Sequence, residues 1–356
     1  MKGKLTYYAM LNPVRYPGIW KKIDNTISAC QQLGLEADAK IHPTSFDGIK
    51  SFINDLIRED SKFIYIRFFD FISPLIFFIV LYHRAMGRKV IIDVPTPRTV
   101  SIREIDVSDA RKSAKIIRKL WTFWSGSWVL WPYNKVVQYA EESPWFSFGC
   151  KHKTIKIGNG ITIGEETPLA GKDSESNQLH LIAVAQMADW HGYDRLINAL
   201  ALMRDRKHDL NIYLTLVGDG VASPKLKALT KQLNLQNQIH FPGMLTGAQL
   251  DQAFSTADIG VASLGLYRIG LHEASVLKTR EYMSRGLCVI ASGLDPDIPE
   301  NSPYRFLVPN DNSIEPITSM LSEISNKKLP STQEVREFAE KHLTWEKKIE
   351  KILSTC

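Results

Sequence analysis

Glu273 and Glu281 stand eight positions apart in GLHEASVLKTREYMSRGLCVIAS, the stretch from Gly270 to Ser292. Carboxylates bind hydroxyls, and eight steps of α-helix at about 1.5 Å each set this pair roughly 12 Å apart. They are too far apart to grip one atom but suit opposite ends of a nucleotide sugar, one at the sugar hydroxyls and one at the ribose. The intervening helix start offers free N–H groups and a positive dipole end to the diphosphate. Arg268 and Lys278 flank Glu273, and cations of this kind stabilise the charge that develops on a diphosphate as it leaves. The bland alternatives are a surface helix with two unrelated glutamates, and an i,i+3 ion pair between Lys278 and Glu281.

In the first half, Arg67 ends one strand-like segment and DVPTPR (Asp93 to Arg98) ends the next. Ligands of parallel α/β sheets bind beyond the carboxyl ends of the strands, so Arg67, Thr96 and Arg98 are candidate acceptor contacts. Asp93 is a candidate to orient or deprotonate an acceptor hydroxyl; the alternative is an Asp capping the turn before Pro95. Gly18, in LNPVRYPGIWKKIDN, falls between a strand and a helix, a place where backbone can come close to a donor or an acceptor. No GxGxxG accompanies it, which gives no support to nicotinamide binding. Asp295-x-Asp297 resembles a metal-binding pair, but its Pro-rich setting late in a domain argues against that role, and no essential metal is expected.

From Ser108 to Trp124 a helical projection gathers Arg111, Lys112, Lys115, Arg118 and Lys119 on one arc. Ile116, Ile117, Leu120, Trp121 and Trp124 occupy the other. This is the composition of an interfacial membrane helix, and equally of a solvated lysine face over a core. Residues 1–160 carry 24 Lys plus Arg against 14 Asp plus Glu, and residues 161–356 carry 20 against 24, so a +10 half precedes a −4 half. The basic half suits an anionic surface; no nucleic-acid-binding motif accompanies the charge, so no nucleic acid is expected.

The elements that must position these groups alternate. Leu5 to Met10, Lys62 to Arg67 and Val90 to Val94 read as strands, with helical patterns at Ile19 to Leu33 and Pro74 to Met86. The second half repeats this order, with strands at Leu179 to Ala185, Ile212 to Val217, Ile239 to Phe241, Ile259 to Ser263 and Cys288 to Ser292. Helical patterns start near Tyr193, Pro224, Gly247 and Ala274. Two doubly wound α/β domains follow, 1–163 and 179–331, with a polar hinge at 164–178. The tail, 332–356, reads as a helix carrying Trp345, which either crosses back to the first domain or caps the second. A chain of 356 residues with 44% hydrophobic and 23% charged residues supports two cores and excludes disorder. Four scattered cysteines imply neither disulfides nor zinc. The apolar run Phe68 to Tyr82 is too short to span a bilayer and reads as a buried helix. With no leader-like opening, a cytoplasmic protein is expected, peripheral on the inner face of the cell membrane.

The second half resembles the retaining glycosyltransferases of family 4 type, of the kind found in bacterial polysaccharide biosynthesis. The likeness is carried in order by Asn159-Gly160, AQMADWHGYDRLINAL (Ala185 to Leu200), VGDG (Val217 to Gly220), FPGMLTGAQLDQAFSTADIGVAS (Phe241 to Ser263) and Glu-x7-Glu. The resemblance implies the GT-B fold, two Rossmann-like domains facing each other across a cleft. It implies sugar transfer, with retained anomeric configuration and no cofactor, from a UDP- or GDP-linked donor to a glycan or lipid-linked acceptor. By the same resemblance Glu273 contacts the transferred sugar, Glu281 the ribose, and the amides of Ser275, Val276 and Leu277 the diphosphate. His191, Gly192, Gly218 and Met244 complete the donor site. The family's usual Arg and Lys before the second domain's first helix are Gln186 and His191 here, so Arg268 and Lys278 are expected to replace them. His191 would donate to a phosphate or serve as a neutral cap. The rival readings are a nucleotide-sugar epimerase of related fold and a non-catalytic nucleotide-sugar-binding partner.

Overall fold

The computed structural model describes residues 3–69, 74–107, 112–164, 169–170, 178–206, 211–325 and 327–356. The chain divides into two compact units: Met1–Gly158 with Trp345–Cys356, and Asn159–Thr344. In the first unit the elements are β1 (Lys4–Met10), α1 (Pro17–Gln32), β2 (Glu36–His42), α2 (Phe46–Ile57), β3 (Phe63–Arg67) and α3 (Pro74–Ala85). They continue with β4 (Lys89–Val94), α4 (Arg98–Val107), α5 (Lys112–Ser125), β5 (Lys135–Gln138), α6 (Pro144–Ser147) and β6 (Thr154–Lys156). Among the described residues the sheet runs β2-β1-β3-β4-β5-β6, with every pair parallel. Its central strands are apolar on both faces, as strands covered twice by crossover helices must be.

The second unit holds β7 (Gln178–Val184), α7 (Tyr193–Asp205), β8 (Asn211–Val217), α8 (Ser223–Gln232), β9 (Ile239–Gly243) and α9 (Gly247–Ser255). Then come β10 (Ile259–Val261), α10 (Leu277–Ser284), β11 (Cys288–Ser292), β12 (Arg305–Val308), α11 (Glu315–Ser325) and α12 (Thr332–His342). This sheet is also parallel, in the order β12-β11-β10-β7-β8-β9. Two Rossmann-like α/β units therefore stand as the alternating pattern requires. The chain then enters α13 (Trp345–Ser354), whose Trp345 is 4% exposed and packs with Ile349 and Ile352 in the core of the first unit, against α1. The tail is thus two helices broken at Leu343-Thr344, where a backbone bridge joins Thr344 to Ile161.

Two expectations about helices need correction. α3 is buried on one face only: Ile76, Ile79 and Val80 are covered, while Leu75, Phe78, Leu81 and Tyr82 are exposed. α10 begins at Leu277, not near Ala274, because Glu273 is held extended in a parallel bridge with Leu294 and Ala274 donates its N–H to the Leu294 carbonyl at 3.0 Å. Among the described residues no helix is long and apolar enough to cross a membrane.

Candidate donor site in the second unit

The loop after β7 and the segment after β10 meet through glycine. Gly192 has φ +67°, and a Cβ there would stand 2.6 Å from the Gly265 nitrogen, so no larger residue fits. The Leu264 N–H donates to the His191 carbonyl at 2.8 Å, fixing the same contact. Gly218, at φ +111°, lies so close to the Ala185 carbonyl that a Cβ would sit 2.0 Å from its oxygen. Gly218 also donates to the Gly243 carbonyl at 2.7 Å, which sets the exposed Met244 one residue beyond that contact.

On this frame the polar groups converge. His191 is 2% exposed; its ring stacks with Tyr193 at 5.4 Å, and its Nδ1 accepts the Ala188 N–H at 2.9 Å. Burial, helped by the nearby Lys278, pushes its pKa down to about 3, so the ring is neutral with its proton on Nε2. Lys278, in the first turn of α10, reaches to 3.3 Å from the Tyr193 hydroxyl and lies 5.8 Å from the Trp190 ring centroid. Its ammonium is half-buried, and burial pushes it down to about 7. It makes no ion pair with Glu281 among the described residues. Val276 at the N-cap of α10 offers no side-chain cap, so among the described residues no capping side chain takes its first-turn amides.

Arg268 differs from the expected diphosphate-facing cation. Its guanidinium makes a two-point pair with Asp194, 2.8 Å on each side, and also donates to the Asp189 carbonyl at 2.7 Å. Burial opposes ionisation of Asp194, but the Arg268 bonds outweigh it and hold the carboxyl below its usual range. Arg268 therefore ties the loop before α7 to the turn before α10, and Lys278 is left as the cation without a carboxylate. Glu273 is 9% exposed and Glu281 half-buried, on either side of the α10 start. The Ser275 hydroxyl accepts the Asn159 N–H at 2.5 Å, and its carbonyl takes the Asn159 side-chain amide at 2.9 Å.

The sequence alone did not reveal what supports this turn. Arg280 is wholly buried and donates to the Asn159 carbonyl at 3.1 Å and to both Asp295 and Asp297, the latter at 2.9 Å. The Asp-x-Asp pair is thus the counter-charge of an arginine. Among the described residues no cluster of three or more His, Cys, Asp or Glu could hold a metal.

In the first unit, Asp93 is 1% exposed, and its Oδ2 accepts from the Tyr7 hydroxyl at 2.8 Å and from Arg67 at 3.3 Å. The Lys22 ammonium lies 4.0 Å away and 3.3 Å from the Tyr139 ring centroid, and burial pushes it down to about 7 against the pull of Asp93. The Tyr139 hydroxyl also lies in hydrogen-bonding reach of the Asp93 carboxylate; burial, helped by that carboxylate, pushes its pKa well above the usual range. Arg98 points into the unit, with its guanidinium between the rings of Phe68 and Phe146 at 4.9 and 5.0 Å and a bond to the Gly126 carbonyl, so the expected acceptor contact is not formed by an open side chain. Thr96 is half-buried. Gly18 lies in the first turn of α1 with open space where a Cβ would go, so no close backbone approach requires it. Arg111 lies outside the described residues; of the remaining helix cations, Lys112 is exposed and Lys115, Arg118 and Lys119 are half-buried, as is Trp121, while Trp124 is 59% exposed.

Solved structures share the fold over the whole chain. The lipopolysaccharide outer core galactosyltransferase WaaB has a TM-score of 0.62 at 11% identity, covering 100% of this chain and 99% of that one. HepE from Anabaena, in complex with UDP, has a TM-score of 0.61 at 14% identity and full coverage of both chains. Sucrose-phosphate synthase from Thermosynechococcus elongatus gives 0.59 at 14% identity, covering 99% of this chain and 97% of that one. No curated protein matches the sequence. Residues 178–326, which carry every group of the second-unit site except Asn159, match the family described as glycosyl transferases group 1, and this match on a GT-B fold supports a glycosyltransferase.

Proposed function

We propose that the protein is a retaining, metal-independent glycosyltransferase that moves a sugar from a UDP- or GDP-linked donor to a glycan or lipid-linked acceptor in surface polysaccharide synthesis, working peripherally at a membrane. The observation that carries this reading is the α10 start, where an uncapped helix end, Lys278 and the flanking Glu273 and Glu281 fall within the family-matched stretch. Glu273 holds hydroxyls of the transferred sugar and Glu281 those of the ribose. The first amides of α10 and the Lys278 ammonium receive the diphosphate, whose charge grows as the glycosidic bond breaks. Neutral His191 donates from Nε2 toward a phosphate, and Met244 borders the base. Arg268 acts through Asp194 to position the loop that carries His191 and Gly192. Structures of HepE with UDP-glucose, and with UDP and glucose, favour testing UDP-glucose first. In the first unit Asp93 and Arg67 serve the acceptor.

Radiolabelled UDP- and GDP-sugars offered with glycan and lipid acceptors test the reading. The expected outcome is a labelled product of retained anomeric configuration, formed equally well in EDTA. Isomerised donor without transfer would mark an epimerase, and donor binding with neither outcome a non-catalytic partner; either overturns the proposal.

A further inference from the structure

α5 packs on the first unit through Thr122 and Ser125 and turns Ile116, Ile117, Leu120, Phe123 and Trp124 outward, each at least 59% exposed. A surface helix of a water-soluble domain normally buries such a stripe. The stripe leads into a 560 Å³ cavity lined by Trp124, Gly126, Trp128, Trp131, Trp145 and Phe148 among others. That is within the range of about 300–1,000 Å³ for small-molecule sites.

Three of the four indole N–H groups of this wall are already used. The indole N–H of Trp128 donates to the Trp124 carbonyl at 3.3 Å, that of Trp131 to the Phe148 carbonyl at 3.2 Å, and that of Trp145 to the Phe123 carbonyl at 2.9 Å. Tryptophans at a wet boundary usually keep that group for water or a headgroup. Here the rings of Trp131, Trp145 and Phe148 remain 46%, 54% and 70% exposed but offer only hydrocarbon. Phe123 and Trp145 stack at 5.4 Å and 17°, which stiffens one side. A second recess shares Pro144 and Phe148 with the first and is lined by Ser147, Gly149, Lys151 and His152, the last two exposed.

We propose that this corner of the first unit binds one phosphate-headed lipid as a monomer, its hydrocarbon chain in the indole-walled cavity and its anionic head over Lys151 and His152. With three of its four indole donors spent on backbone carbonyls, the cavity gives a sugar or nucleotide little to bond, and the adjoining Lys151 ammonium selects an acidic head. The proposal stands without the transferase reading; where both hold, it identifies the lipid portion of the acceptor.

Alkyl monophosphates of increasing length, kept below their aggregation concentration, test it through tryptophan emission. The expected result is a saturable blue shift, with affinity rising about fourfold per added methylene until the cavity fills and then levelling. Phe148→Asp, a change at an exposed position, should weaken binding at least tenfold with the melting temperature unchanged. Lys151→Glu should weaken the phosphates but not the matching alkanols. The proposal fails if no saturable shift occurs, if Phe148→Asp binds as tightly as the parent, or if a response appears only on vesicles of acidic phospholipid. A protein that binds alkyl phosphates yet transfers no labelled sugar would sink the transferase reading and leave this one intact.

Discussion

Two buried ionic clusters, one at the carboxyl end of β4 and one around Arg280 of α10, differ in how fully their central group is paired. At α10, Arg280 pairs with Asp295 and Asp297 and also reaches the Asn159 carbonyl, so the donors of this arginine are saturated, while buried Arg305 adds a second positive charge facing Asp295. At β4, one carboxylate faces Arg67 and Lys22 across longer contacts of 3.3 and 4.0 Å and is bonded by tyrosine hydroxyls. A saturated cluster fixes shape, whereas one with unspent capacity and cations 13–15% exposed can still take a ligand group. The first resembles a rivet for the turn before α10; the second keeps room for a ligand group.

The sharpest way to break this contrast is to remove Arg280. Arg280→Met leaves Asp295 and Asp297 buried without their cation, a loss on the order of 3–5 kcal/mol. Urea unfolding should show that loss, and a stability close to the parent would refute the structural role. Glu273→Gln probes the site that the rivet supports. It keeps the shape but weakens contacts to the sugar, so turnover should drop about 10²–10³-fold, as for loss of one transition-state hydrogen-bonding partner, while the Kd for UDP holds within about twofold. A parallel loss of UDP affinity would move Glu273 from the sugar to the nucleotide. Asp93→Asn tests the other cluster. It strands Arg67 as a buried cation and lets Lys22, no longer held charged by Asp93, give up its proton, costing about 1–3 kcal/mol in unfolding experiments, with transfer reduced and UDP binding in the second unit unchanged. Unchanged transfer would make this cluster structural as well.

The sequence made the second unit's frame readable where apolar runs were bounded by turn residues. β11 falls at Cys288–Ser292, α7 at Tyr193 and α9 at Gly247, each where periodicity places it. The strands not recognised include β2, β6 and β12, which lie at sheet edges. Edge strands are short or carry polar side chains, so EADAKIH and TIK lack the continuous apolar signal of a central strand. The start of α10 was misread because Glu and Ala favour helix, while pairing with Leu294 overrides that local preference. Glu273, His191 and Gly192 could be nominated from the sequence because each belongs to an ordered motif, and Lys278 because it lies beside Glu-x7-Glu. Asp194 and Asn159 were not legible as partners, since they meet Arg268 and Arg280 across 74 and 121 residues, a distance no local pattern encodes.

The smallest expected effect isolates Lys278. Its ammonium, pushed down to about 7 by burial, is mostly neutral at pH 8, while a bound diphosphate favours the charged form. Nucleotide binding above neutrality must therefore take up a proton, and affinity must fall as pH rises past 7, by at most about tenfold per unit, or 1.4 kcal/mol. Calorimetry of UDP binding at pH 8 in buffers of different ionisation enthalpy should show uptake approaching one proton, and Lys278→Met should abolish it while weakening binding. Arg268→Met should leave the uptake intact, because that guanidinium is already paired with Asp194 and stays charged throughout. Uptake that survives in Lys278→Met would place the titrating group elsewhere and return Arg268 to consideration as the diphosphate's cation.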